Sequence, residues 1–331
     1  MHMKRLPVSF LALGLIGLAA ACAGAADGTS VISSAREVQV RTSLFYGSRR
    51  TGNAQTYDLY LPSGSSAVLN NAPLFLFVHG GAWSAGDKGN DAWLLLKMAE
   101  RGFVCASMDY ALSRIGGGGA SFDDMLRDID TMVSHVASER RSLGIAEQQP
   151  IALGGVSAGG HLALLYAYDE ANQSVLRLGL RHEIPIGCVV SDCGPTDLAS
   201  REFEIAGRAG FKSGEVERTK WFSALSGGAA EVEDREVIRR RLAKYSPAAL
   251  VCGKSPPTVA LYCSTHTVRG TSVKTDGIVA EQNFHVLTNR LASSGVAYSA
   301  QLLRYPHCQA LLREPTLVNW ACAKVRAALL R

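Results

Sequence analysis

From Leu74 onward, short apolar runs alternate with longer stretches whose apolar positions recur every three or four residues. The runs are Leu74 to His79, Phe103 to Met108, Ile151 to Val156, Ile186 to Ser191, Thr258 to Cys263 and Ala297 to Arg304. Runs this short and this apolar predict strands buried on both faces. Ahead of them, Glu37 to Tyr46 and Ala54 to Leu61 also read as strands, the second alternating Tyr57, Leu59 and Leu61. The periodic stretches predict helices over Ala92 to Arg101, Phe122 to Leu143, Ala158 to Tyr168, Val279 to Ser293 and Pro315 to Leu330. Strands spaced by helices predict an α/β fold, a mainly parallel central sheet flanked by helices on both faces. Such sheets bind ligands at the carboxyl ends of their strands.

Residues 200–245 interrupt the alternation. They are amphipathic and helical in pattern and include Phe203, Phe211, Trp221 and Phe222. Two readings stay open: a satellite packing layer, or a small cap over a site, with Trp83, Trp221 and Phe222 lining a pocket.

The front of the chain has a different pattern. Lys4 and Arg5 precede an apolar run from Leu6 to Ala21, and small residues follow to Ala26. This predicts a secretory signal, too short to span a membrane. Cleavage after Ala25 would leave 26–331 as one exported domain, periplasmic or secreted. Cleavage before Cys22 would leave a lipid-anchored, membrane-attached protein, although Ala19 stands where such signals prefer leucine. No later segment is apolar enough to cross a membrane. About 306 residues suffice for one large, well-buried core.

Charge narrows the partners. The formal +5 becomes +3 once Lys4 and Arg5 are removed, too little to suggest nucleic acid. The basic cluster at Arg235 to Arg241 sits beside Glu231, Glu233, Asp234 and Glu236, as on a solvated helix face. The seven cysteines after Cys22 show no zinc-site spacing, so neither metal nor cofactor is expected. Gly116 to Gly119 lacks the lysine and helix start of a phosphate loop.

The candidate chemistry lies at two strand ends. Gly155-Val156-Ser157-Ala158-Gly159 follows one strand and opens a helix. A serine on so tight a turn stands clear of the sheet, and only small residues fit beside it. His79-Gly80-Gly81 ends an earlier strand. Two glycines let backbone N–H groups approach a substrate carbonyl, so Gly81 and Ala158, supported by Gly80, are the candidate oxyanion hole. His79 is expected to hold the loop's shape, and His161, four residues into the helix, to pack in the core.

A serine nucleophile needs a base, and the base needs an orienting acid. Behind a nucleophile elbow they follow in the order serine, acid, histidine. His307, just past the last predicted strand, is the candidate base. No carboxylate directly follows Cys263. The next, Asp276, precedes the helix over Val279 to Ser293 and is the candidate acid, with Asp192 as the alternative. The mechanism so predicted is acyl transfer to Ser157, then hydrolysis by water.

These segments resemble the α/β-hydrolase esterases of the hormone-sensitive-lipase and feruloyl-esterase-like, dienelactone-hydrolase-related group. The likeness runs through His79-Gly80-Gly81-Ala82-Trp83 with Gly86-Asp87-Lys88, Gly194-Pro195-Thr196-Asp197-Leu198, Ser246-Pro247 and Pro256-Pro257-Thr258. It spans roughly residues 38–330. It implies a Ser-His-Asp carboxylesterase acting on a small-molecule ester. It also implies that the loops after Cys263 and around Cys308 meet, which predicts a Cys263–Cys308 disulfide bracing the histidine loop. Two departures stand out: the loop before Asp276 is extended, and Pro306 and His307 are adjacent where the group separates them. Two other functions therefore stay open: an amide or peptide hydrolase, arylformamidase-like or exopeptidase-like, and a non-catalytic binding protein on this scaffold.

Overall fold

The computed structural model describes residues 37–330 apart from 53, 64–71, 141–148, 201–202, 204–213, 264–265, 269–270, 274–278 and 280. The chain divides into 1–34 and 35–331, and every described residue belongs to the second unit. The predicted leader, with Cys22, lies outside the described residues, as do Phe211 and Asp276.

The eight longer strands are β1 (Val38–Phe45), β2 (Thr56–Pro62), β3 (Leu74–Val78), β4 (Val104–Met108), β5 (Ile151–Val156), β6 (Ile186–Asp192), β7 (Thr258–Cys263) and β10 (Tyr298–Leu303). They form one sheet in the order β1-β2-β4-β3-β5-β6-β7-β10. β1 and β2 pair antiparallel, as do β2 and β4, and every other neighbour pair is parallel. The remaining two, β8 (His266–Val268) and β9 (Thr271–Val273), make an antiparallel hairpin where the sequence reads as a long loop. At three residues each, these strands are too short to show a period.

Side-chain alternation explains the double covering. Leu74, Leu76 and Val78 of β3 enter one core with α2 (Phe122–Glu139), α3 (Ala158–Ala171) and α7 (Gln282–Ser293). Phe75 and Phe77 enter the other, with α1 (Ala92–Glu100) and α9 (Pro315–Leu329). Fully burying one such side chain stabilises by roughly 1.5–3 kcal/mol, so a strand buried on both faces must be apolar throughout. α2 starts where predicted because Ser121 and Asp124 form a reciprocal capping box around its first turn. α7 starts three residues later than predicted.

Residues 200–245 contain α4 (Glu215–Leu225) and α5 (Arg235–Lys244), and short α6 (Pro247–Leu250) and α8 (Ala310–Arg313) complete the described helices. The candidate pocket needs correction here. Trp221 is wholly buried, its indole N–H donates to Ser113 Oγ at 2.8 Å, and its ring lies 6.2 Å from that of buried Trp83. Both tryptophans belong to the core, because α4 turns its largest apolar side chain inward. Phe222 does line a cavity of about 370 Å³, with Leu198, Phe203, Arg218, Arg239 and Leu242. Neither Ser157 nor His307 lines that cavity.

Candidate active site

Ser157 separates β5 from α3 with φ +53° and ψ −119°, a conformation costly for any residue bearing a Cβ. Its surroundings hold it there. The Ser157 N–H donates to the Asp192 carbonyl at 2.7 Å, and the His161 N–H donates to the Ser157 carbonyl at 3.0 Å. A Cβ on Gly159 would lie 1.9 Å from the Val78 carbonyl oxygen, so only glycine lets α3 pass this close to β3. The result is a serine at the sheet's carboxyl edge and the N-terminus of α3, where the helix dipole favours negative charge.

The His79-Gly80-Gly81 turn packs against this elbow. A Cβ on Gly80 would stand 3.3 Å from Ser157 Cβ, so the loop backbone borders the nucleophile. Gly81 holds φ +119°, and a Cβ there would meet the Ala85 carbonyl. Ala158 opens α3 on the other side of the serine. Gly80 and Ala158 therefore flank Ser157, with Gly81 next in the turn.

His79 has the shape-holding place the sequence suggests. Its ring stacks on Tyr110 with centroids 4.4 Å apart, its Nδ1 lies 2.7 Å from the Gly80 carbonyl, and Tyr110 donates to the His79 carbonyl at 3.1 Å. Burial pushes its pKa down, which favours the neutral ring.

His161 is fully buried as expected. It accepts from Trp83 Nε1 at 3.2 Å on Nδ1 and lies 2.8 Å from the Tyr245 carbonyl through Nε2. That pairing requires the neutral ring with its proton on Nε2. Burial lowers its pKa to about 4. Below about pH 6.5 the unfolded chain protonates this histidine while the folded chain does not, so stability falls with pH until about pH 4. The slope is about 1.4 kcal/mol per pH unit within that window. Denaturant melts from pH 7 to pH 4.5 on wild type and His161→Asn should show a shallower decline in the variant. Asp91, whose carboxyl burial lifts to about 6, contributes with the opposite sign in both proteins and cancels.

His307 follows β10, and its Nε2 lies 2.8 Å from Ser157 Oγ. These residues are 150 positions apart in the chain, and the adjacency of Pro306 and His307 does not keep the imidazole from the serine. With the hydroxyl donating, His307 Nε2 is the acceptor and the proton belongs on Nδ1.

Of the candidate acids, Asp276 lies outside the described residues. Asp192 is the last residue of β6 and is buried, its carbonyl engaged by the Ser157 N–H. Asp192 also borders a small cavity shared with Asp91, Trp93, Cys308 and Val318, on the side of the sheet that carries α1 and α9.

The predicted Cys263–Cys308 disulfide is not formed; neither sulfur is in a disulfide. The two loops do meet, since Cys263 Sγ lies 3.2 Å from the Pro306 carbonyl. However, the thiol beside Cys263 is Cys193, at 3.4 Å, because β6 and β7 are parallel neighbours. Cys193 is a neighbour that sequence spacing does not suggest, lying 70 residues from Cys263.

A mainly parallel sheet of this strand order, with a strained serine elbow after β5 and a histidine after the last strand, is the α/β-hydrolase fold. The chain belongs to the BD-FAE family, whose family model matches residues 57–268, more than half of its length. It is 32% identical over 137 residues to an isoprenylcysteine alpha-carbonyl methylesterase of Arabidopsis thaliana, covering 41% of this chain and 30% of that protein. It is also 32% identical over 208 residues to Esterase LipC of Mycobacterium tuberculosis, covering 60% of this chain and 45% of that one. The chain thus spans less than half the length of either curated relative. Among solved structures, Esterase B from Lactobacillus superposes with a TM-score of 0.65 at 19% identity, covering 88% of this chain and 85% of that one, a likeness of fold.

Proposed function

We propose that this protein hydrolyses carboxylic esters through an acyl-enzyme on Ser157. The observation that carries the reading is the 2.8 Å contact between His307 Nε2 and Ser157 Oγ at a strained elbow. Its membership of the BD-FAE family and its likeness to a methylesterase and to Esterase LipC favour an ester substrate. In this reading His307 takes the Ser157 proton as Oγ attacks the ester carbonyl. The N–H groups of Gly81 and Ala158 receive the developing oxyanion. His307 then protonates the departing alkoxide, and a water activated by the same imidazole frees the acid.

Asp276 is the proposed orienting acid. The segment from Cys263 to α7 leaves the carboxyl end of β7, and β10, which leads to His307, is the parallel neighbour of β7. Asp276→Asn should lower kcat on the order of 10⁴-fold, the cost of presenting the wrong tautomer to the base, with KM little changed. Asp192→Asn should cost far less. A fluorophosphonate probe should label metal-free wild type and fail on Ser157→Ala. A well-folded wild type that resists the probe would sink the proposal. Export of the chain from residue 26 is proposed on the charged-then-apolar leader, and N-terminal sequencing of the mature protein tests it.

A further inference from the structure

Around His307 lies a cluster of thiols that ester hydrolysis does not use. β6 ends and Cys193 follows; β7 ends on Cys263; β10 ends and His307 and Cys308 follow. These three strands are consecutive neighbours in the sheet, so their carboxyl ends converge. One donor atom each from Cys193, His307 and Cys308 lies within 4.8 Å of the other two. Cys263 Sγ adds a fourth donor 3.4 Å from Cys193 Sγ.

Those separations suit a thiophilic metal ion. Zinc bonds of about 2.3 Å to sulfur and 2.0 Å to nitrogen, at tetrahedral angles, place donors about 3.5–3.8 Å apart. The Cys193–Cys263 separation of 3.4 Å is close to that spacing, and the donors of Cys193, His307 and Cys308 lie within 4.8 Å of one another. Three thiols and one imidazole are the donor types zinc selects over carboxylate-preferring ions. Cys193 and Cys263 are buried, while His307 and Cys308 are half-buried and give an ion a way in. Nothing in the cysteine spacing along the chain reveals it, because the ligands come from three different strand ends.

We propose that Cys193, Cys263, His307 and Cys308 form a zinc(II) site that inhibits the enzyme by capturing its base. Each cysteine that coordinates gives up its thiol proton to solvent, and no electron changes hands. Coordination through Nε2 takes the lone pair that would accept the Ser157 proton. Coordination through Nδ1 displaces the orienting acid. Either way His307 stops acting as a base. This inhibitory effect rests on the Ser157–His307 reading above, whereas binding of the metal does not.

The test uses the whole protein, reduced with a phosphine and stripped by a chelator, with Cd²⁺ as the spectroscopic probe and Zn²⁺ for activity. Cadmium should raise a thiolate-to-metal ultraviolet charge-transfer band that saturates at one ion per chain. Cys193→Ser and the half-buried Cys308→Ser should each weaken cadmium on the order of 100-fold. Cys252→Ser, away from the cluster, should leave the titration unchanged. Zinc should abolish fluorophosphonate labelling of wild type, reversibly on adding chelator, and spare Cys308→Ser at the same concentration. No band from fully reduced protein overturns the site, as does a band that survives both cluster substitutions. A Cys193–Cys263 disulfide that resists reduction, seen as two missing thiols, also overturns it. A band that depends on the cluster while labelling persists removes His307 and the inhibition. A protein that binds cadmium through these cysteines but never labels without metal leaves the site standing and fails the esterase reading instead.

Discussion

Alanine at Ser157 or at His307 should each lower kcat toward a small aryl ester by about four to six orders of magnitude, and the double variant should be no worse than either single one. The reason is the single hydrogen bond at 2.8 Å between them. Nucleophile and base act as one unit: without the base Oγ stays protonated, and without Oγ the base has nothing to activate. Effects of such residues do not add. A remainder above the uncatalysed rate should survive, because the proposed oxyanion donors Gly81 and Ala158 and the helix dipole of α3 are untouched. KM should change little. The comparison of kcat for the two single variants and the double variant decides it. Losses that multiply in the double variant would mean that Ser157 and His307 act in separate steps.

Trp221→Ala should cost about 3–5 kcal/mol of stability, whereas Phe222→Ala, at a half-buried position, should cost about 1 kcal/mol or less. These adjacent residues on α4 lie ring beside ring, with centroids 4.9 Å apart, but differ in depth. Trp221 is wholly buried against Trp83, and its truncation both empties a large volume and strips Ser113 Oγ of the indole donor. Ser113 also donates to the Trp83 carbonyl at 2.9 Å, so the loss reaches the segment that follows the Gly80–Gly81 turn. Phe222 is half-buried and lines the cavity under α4 and α5. Urea melts of both variants measure the difference. A Trp221→Ala melt close to that of wild type would show that the indole contributes no core packing.

The residues that make chemistry were legible because the chemistry constrains local sequence. A nucleophile elbow needs small residues on both sides of its serine, and the doubly buried strand before it needs continuous apolar side chains. Gly155, Ser157 and Gly159 satisfy both demands within a few positions, and the 1.9 Å approach at Gly159 shows why. His307 was found by its place after the last strand, a rule of topology rather than of spacing. His79 was separable from it by its place in the glycine turn, and His161 by its core-facing place within α3.

What the sequence by itself determined, then, was what one strand or one helix must satisfy alone. Alternation, capping at Ser121 and the small residues of the elbow act over a few residues, and their energies are set by near neighbours. The tertiary structure decided what depends on which strand ends lie side by side. The pocket assignment of Trp221 failed because amphipathic spacing does not show how far α4 sinks into the fold. Cys263 met Cys193 rather than forming a bridge to Cys308 because β6 and β7 are parallel neighbours, with Asp192 at the end of β6 paired to Leu261 two residues before Cys263. Strand order alone joined a histidine to a serine 150 residues away and set three cysteines around it, since parallel strands connected through helices bring together ends that the chain keeps far apart.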